Sequence, residues 1–474
     1  MKILLVSPPT ISAIQAVIGT TGPPLGLAYL ASIAREKGNE VRIVDALAEG
    51  INLKSVEKII SSYSPDIVGL TSTTSMVPDA YEVARTVKEI SGNIKVIMGG
   101  PHATFTPEIT LSESPDIDYV VRGEGESIFS NLLDFFSGRK DLKDVRGISF
   151  RNGSGVFNSP PESLIRNVDT IPEPALDLLP MKKYKVGKSE FGTIVTSRGC
   201  PYNCMFCSSS LQFGKVWRGH SAERVLRELE TLRYKYGKKE IEFLDDTFTL
   251  NMRRATALTD MIRKEGLDIS WSASARVNLF NREIADSMKK AGTHTVYFGI
   301  ESGVQKTLDF IGKGINLQMA ATSIRNAREA GLRSLGSFII GFPEDTEDDV
   351  KKTIAFSKKL GVSFAQFTVA TPYPGTRLWD YAREHNLLTT GDWRKFTTLT
   401  PVMKLRNFTN QGILRWLQKA YIGFYMRPLF LMKDIFVNKA FVFKRIIPYS
   451  RAFLHSGITE NDQLRSVDGT RYLY

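Results

Sequence analysis

Ser197-Arg198-Gly199-Cys200-Pro201-Tyr202-Asn203-Cys204-Met205-Phe206-Cys207 holds all three cysteines of this 474-residue chain, spaced Cys-x3-Cys-x2-Cys. An odd count rules against a disulfide framework, and no secretory context is visible. Three thiolates on one short loop suit a metal centre. They can hold three irons of a [4Fe–4S] cube and leave the fourth iron open to a ligand. The alternative is a zinc knuckle with His220 as fourth ligand.

On the amino-terminal side of that loop, strand-like and helix-like patterns alternate. Ile3–Ser7, Val41–Val44, Ile67–Thr71, Val96–Met98 and Tyr119–Val121 are short apolar runs. Helical periodicity marks Leu25–Lys37, Ser55–Tyr63, Ala80–Glu89 and Ile128–Phe136. Continuous apolar strands between helices predict a doubly wound parallel sheet, with its ligand beyond the carboxyl ends of the strands. Those ends carry Pro8 and Pro9; Thr21, Gly22, Pro24, Leu25 and Gly26; Thr71, Ser72 and Thr73; Gly99, Gly100 and His102; and Gly123 and Glu124. Glycines and hydroxyls let backbone approach a large ligand and offer it donors. Tight strand-to-helix turns also need Gly and Pro for their own sake.

On the carboxyl-terminal side, Thr193–Thr196, Ile241–Leu244, Ile269–Ala273, Val296–Gly299, Ser334–Ile340 and Phe364–Val369 read as strands with helices between them. Six such units predict a partial βα barrel, with functional groups at the strand ends. The cysteines follow the first strand, Asp245 and Asp246 the second, Arg276 the third and Glu301 the fourth. Ile339 and Glu344 belong to the fifth. Plainer roles exist for each: Asp246 and Glu344 as helix caps, Arg276 as a structural ion pair. The chain divides into a sheet domain at 1–140, a linker with a small hairpin at 141–190, a barrel at 191–390 and a helical region at 391–474.

The barrel resembles the radical SAM superfamily, whose signature Cys-x3-Cys-x-aromatic-Cys is met with Phe206 as the aromatic. Ser337-x-Ile339-x-Gly341-x-x-Glu344 approximates that family's Gly-x-Ile-x-Gly-x-x-Glu motif and departs from it at Ser337. The resemblance implies a [4Fe–4S] cluster on Cys200, Cys204 and Cys207. It implies S-adenosylmethionine (SAM) held near Phe206, Asp246, Arg276, Glu301, Ile339 and Glu344, and cleavage to a 5′-deoxyadenosyl radical. Physically, Arg276 suits a carboxylate, Glu301 the ribose hydroxyls or the amine, and Ile339 with Phe206 an adenine slot.

Thr21–Leu30, Gly99–Thr104 and Val121–Glu126 resemble the cobalamin-binding domain that precedes the barrel in B12-binding radical SAM enzymes. The strand-end residues named above are then the expected cobalamin contacts. Many B12 domains carry Asp-x-His-x-x-Gly, whose His ligates cobalt from below. The nearest match here, Asp45-x-Leu47-x-x-Gly50, lacks the His, which implies an open or water-ligated lower face. The family implies methylation of an unactivated carbon or a phosphinate phosphorus through methylcobalamin. Cyclisation or rearrangement is the alternative, and a cobalamin-binding sensor is the alternative of another class. A methylthiotransferase would need cysteines for a second cluster. The resemblance also implies an electron donor of flavodoxin or ferredoxin type.

The net charge of +12 is compatible with nucleic acid, an anionic surface or acidic ligands. No RNA-binding module is present, so nucleic acid is not expected. Beyond Asp392, segments such as Tyr421–Phe430 and Phe441–Ile447 mix aromatic, aliphatic and basic residues. They read as a cap over the barrel mouth, or as a basic amphipathic surface for a membrane or an apolar substrate. A lipid, isoprenoid or tetrapyrrole fits that composition. The expected compartment is the cytoplasm, with peripheral contact at the inner membrane face under the second reading. No apolar run is long enough to span a bilayer, and Met1–Pro9 reads as a first strand rather than a leader.

Overall fold

The computed structural model describes residues 1–10, 22–153, 155–428 and 430. Two seven-stranded sheets dominate. The first has the order β2-β1-β3-β4-β5-β6-β7: β1 Lys2–Ser7, β2 Glu40–Asp45, β3 Ile67–Thr71, β4 Lys95–Gly99, β5 Tyr119–Val121, β6 Ile148–Arg151 and β7 Val156–Asn158. Strands β1 to β5 are parallel. Side chains alternate between two buried faces, as the pleat requires. Ile3 and Leu5 join the core built by the helices Leu25–Glu36 and Gly125–Phe136. Leu4 and Val6 join a separate core with the helix Val77–Ile90. The chain moves outward to β2 and then back past β1 to β3, so a crevice opens at the carboxyl ends of β1 and β3.

The hairpin expected in the linker instead extends this sheet. β6 pairs antiparallel with β5, and β7 with β6. Val121 lies opposite Ile148, and both are buried, so an apolar edge is covered rather than left open.

The second sheet has the order β16-β15-β14-β13-β12-β9-β8. Its strands are β8 Lys185–Val186, β9 Ser189–Ile194, β12 Glu240–Phe243, β13 Ser270–Ala275, β14 Thr293–Glu301, β15 Arg333–Ile340 and β16 Phe364–Val369. The six strands β9 and β12 to β16 are parallel and in sequence order, a curled half-barrel, with β8 antiparallel on β9. A two-stranded ribbon, β10 Ser197–Arg198 with β11 Arg218–Gly219, closes the neck of the cysteine loop. The first barrel strand ends at Ile194 because Thr196 turns aside, donating its amide and hydroxyl to Asp245, each at 2.6 Å.

The carboxyl-terminal region divides its contacts. Trp379, Trp393, Phe396 and Val402 return to the first domain and complete its outer core. The helix Asn410–Tyr425 lies along β16, the edge strand of the half-barrel. Tyr421 and Tyr425, four residues apart, each accept from and donate to the backbone of one β16 residue. Tyr421 bonds the Phe367 amide at 3.2 Å and carbonyl at 2.9 Å. Tyr425 bonds those of Ala365 at 3.0 and 2.7 Å. The described part of the expected cap thus closes a sheet edge; Phe441–Ile447 lies outside the described residues. No helix among the described residues is long and apolar enough to cross a membrane.

Candidate active site

The cysteine loop occupies residues 199–217, between β10 and β11. The helices Gln305–Phe310 and Arg377–Glu384, which follow two of the half-barrel strands, hold it in place. The Met205 amide donates to Ile311 O at 2.8 Å, and Leu378 N donates to Met205 O at 2.9 Å. Gly199 has φ +86°, and a Cβ there would strike the Val216 carbonyl. All three cysteines are half-buried. Burial raises the Cys200 and Cys207 thiols, and Asp246 and the neighbouring cysteines raise them further. Three mutually repelling thiolates in a desolvated loop call for a cation between them, as bound iron supplies.

Around this loop the structure gathers most of the expected SAM-site residues. Arg276 stacks on Tyr202 at 3.5 Å from the ring centroid, and its Nη1 lies 3.6 Å from Cys204 Sγ. Its Nη2 donates to the Lys313 carbonyl. Glu301 is buried with φ +67°, a conformation strained for a side-chain-bearing residue. Its Oε1 accepts from Lys313 Nζ at 2.5 Å. That Nζ also lies 5.7 Å from the Phe206 centroid. Gly299 leaves room for this pair, since a Cβ there would overlap both charged ends. Phe206 packs on Phe342 at 6.1 Å. Ile339 is half-buried and alternates with fully buried Phe338 and Ile340. Asp246 faces a cavity yet is hemmed in by protein, and that desolvation holds its carboxyl above the usual range.

Glu344 stands apart. It is exposed and paired with Arg406 at 3.7 Å. Its neighbour Asp345 is the buried carboxylate, accepting from the Gly341 and Phe342 amides and the Thr307 hydroxyl, each at 3.0 Å. His220 lies buried against Asp169 at 3.1 Å from Nδ1, and burial lowers its pKa to about 4.

A cavity of about 400 Å3 separates the first sheet from the cysteine loop. Leu25, Gly26, Thr71, Gly99, Gly100, Gly123 and Glu124 line it, all among the expected cobalamin contacts. Arg198, Gln212, Phe213, Leu244 and Asp246 close it from the barrel side. A Cβ at Gly26 or Gly123 would meet no protein atom within 4 Å. The Tyr29 hydroxyl, also on the wall, is buried without a partner among the described residues. Backbone-lined walls, an apolar floor and an unused hydroxyl fit a large ligand with polar edges.

Pro8, Pro9, Gly22, Pro24, Ser72, Thr73 and His102 are not on that wall. His102 packs edge-on against Trp393 at 4.8 Å, and burial lowers its pKa to about 4. It looks away from the cavity because the helix Pro101–Phe105 turns it into the outer core. Gly22 abuts Thr193 of β9, and Thr21 lies outside the described residues. Asp45 caps a short helix and accepts from Tyr184 at 2.8 Å.

Sequence reasoning passed over Tyr29, Glu126, Arg198, Lys313 and Asp345. Arg198 and Lys313 did carry a signal, one flanking the cysteines and the other bracketed by Gly312 and Gly314.

Residues 11–133 match the B12 binding domain family and residues 194–357 the radical SAM superfamily. An uncharacterized methyltransferase of Pyrococcus horikoshii is 59% identical over 94% of this chain and 97% of its own length. The anaerobic magnesium-protoporphyrin IX monomethyl ester cyclase of Cereibacter sphaeroides is 27% identical over 97% of this chain and 76% of its own. The cobalamin-dependent SAM radical enzyme OxsB, in its structure with aqua-cobalamin and SAM bound, superposes with a TM-score of 0.77 at 18% identity, covering 95% of this chain and 71% of that one. The chain belongs to the B12-binding branch of the radical SAM superfamily, enzymes that work with cobalamin, SAM and a [4Fe–4S] cluster, and within it to a methyltransferase family.

Proposed function

We propose that this enzyme methylates an unactivated carbon, or a phosphinate phosphorus, of a small apolar molecule. Cys200, Cys204 and Cys207 hold the cluster. Arg276, Lys313 and Glu301 orient the charged end of SAM, with Phe206 and Ile339 beside the adenine. Thr71 at the end of β3 and glycines at the ends of β4 and β5 admit the corrin. When bound, cobalamin supplies a carrier for a methyl group from SAM, and the cluster supplies the electron that cleaves a second SAM to the 5′-deoxyadenosyl radical. An external low-potential reductant of flavodoxin or ferredoxin type feeds the cluster.

One observation carries this reading: Asp246 stands on the cavity wall and its charge also acts on Cys200 and Cys207, so one side chain links the cavity to the cysteine loop. The methyltransferase relative, 59% identical over nearly its full length, supports methyl transfer over cyclisation. The magnesium-protoporphyrin ester on which the cyclase relative acts supports a tetrapyrrole, among the isoprenoid, lipid and tetrapyrrole substrates that the composition suggests. The cyclase relative favours a second reading, ring formation with the same cofactors.

The test is anaerobic reconstitution with cobalamin and methyl-labelled SAM in the presence of candidate substrates. Methylation yields S-adenosylhomocysteine and 5′-deoxyadenosine in near-equal amounts, with label in a product. 5′-Deoxyadenosine alone would select the cyclase reading.

A further inference from the structure

Between the two halves of the molecule lies a cluster of four buried charges. Arg198 Nη2 meets Glu126 Oε1 at 2.5 Å, and Arg198 Nη1 meets Glu124 Oε1 at 3.5 Å. Arg218 Nη1 meets Glu124 Oε2 at 2.8 Å. All four side chains are at least nine-tenths buried. Glu124 comes from the loop after β5 and Glu126 from the first turn of the helix Gly125–Phe136, both in the domain that binds B12. The guanidinium groups come from β10 and β11, where Arg198 and Arg218 are register partners. They sit at the two ends of the 199–217 segment that contains every cysteine. Arg218 further donates to the Ile165 and Phe213 carbonyls at 2.7 and 2.6 Å.

We propose that Glu124 and Glu126 latch the neck of the cysteine loop to the B12 domain, making Arg198 a positioning residue for methyl transfer between the two cofactors. The inference rests on the cofactor placement proposed above. The geometry favours it over simple domain adhesion. Both ends of one loop are fastened, and they are fastened to the loop whose Gly123 and Glu124 line the cavity. Arg198 and Glu126 also line that cavity, and the Arg198 guanidinium lies 5.7 Å from the ring of Tyr29 on the same wall. Positions in one wall are thus set by the same charges that hold the cluster loop. Transfer between two centres is steep in distance, and a misplacement near 1 Å costs roughly 100-fold.

The test uses full-length holoenzyme reconstituted with cobalamin and cluster, under a low-potential chemical reductant, without substrate. Glu126→Gln keeps the side-chain shape and removes its charge. Arg198→Lys keeps the charge and removes the fork, and serves as the second variant if one fails to fold. The first readout is the ratio of S-adenosylhomocysteine to 5′-deoxyadenosine. The second is the spin–spin broadening of the Co(II) signal by the reduced cluster. The latch predicts a ratio lowered by roughly 10- to 100-fold and an altered broadening. Both products falling together, or broadening identical to wild type, would overturn it. If wild type itself forms no S-adenosylhomocysteine, the methyltransferase reading fails, and the broadening still decides the latch.

Discussion

Asp345 shows how one buried carboxylate shapes the candidate SAM site without touching it. Its Oδ2 accepts from both the Gly341 and Phe342 amides, and Oδ1 accepts from Thr307. That turn presents Phe342 to Phe206. Burial raises the carboxyl from 3.8 to about 6, against the pull of those hydrogen bonds. The folded state therefore binds the proton more tightly than the unfolded chain does. The resulting stabilisation is full below about pH 4 and is lost as pH rises through about 6. A shift of roughly two units corresponds to about 3 kcal/mol. In Asp345→Asn the amide oxygen can keep both backbone donors, and the NH2 group can donate to Thr307. Urea unfolding from pH 4 to 7 should show wild type losing about 3 kcal/mol relative to this variant as pH rises. A constant difference would mean that Asp345 is not raised. Glu344, the residue of the sequence motif, faces Arg406 in solvent.

At the scale of elements, the edge of the half-barrel matters most. An unpaired parallel edge exposes alternating amides and carbonyls to any passing strand. Here a helix covers it through Tyr421 and Tyr425. A spacing of four along a helix is about 6 Å, close to the two-residue repeat of a strand. Each hydroxyl can both accept and donate, so one phenol satisfies one residue's two backbone groups. Tyr425→Phe should cost about 2 kcal/mol in urea unfolding, because it leaves a buried amide and carbonyl unpaired. Tyr421→Phe should cost less, since Tyr421 is only half-buried and water can replace its hydroxyl. Hydrogen exchange at the Ala365 and Phe367 amides should speed up in the corresponding variants. Unchanged exchange would refute the edge-closing role. Composition marked a helical cap region here, but the strand that the helix serves lies more than fifty residues away in sequence.

For the whole molecule, the cavity is built by two domains, and a ligand in it should couple them. Free cobalamin at about 100 times its Kd should stabilise the fold by about 2.7 kcal/mol. Hydrogen exchange should slow together in β3 of the first sheet and in β12 of the half-barrel. Protection confined to β1–β5 would place the ligand on the first domain alone. The linker reinforces this coupling by packing back on the helix Leu25–Glu36. There Ala175 N donates to Ala28 O at 3.0 Å, and Arg35 pairs with Asp177 at 2.8 Å.

Local pattern accounts for the two parallel sheets, the six-unit barrel and the loop that carries all the cysteines. These follow from local causes: apolar runs of strand length, helical periodicity between them, and close spacing of one residue type. The strand-end rule then placed Arg276, Glu301 and Asp246 at the same end of the half-barrel as the cysteine loop, since chain direction alone decides which end of a parallel strand they occupy. Long-range packing sets the hairpin onto the first sheet, turns His102 into the outer core and lays the carboxyl-terminal helix along an edge. It alone joined Glu124 and Glu126 to Arg198 and Arg218 across seventy or more residues of chain. Such pairings depend on where whole domains meet, and a buried charge reads in sequence like a solvated one until its partner is placed beside it.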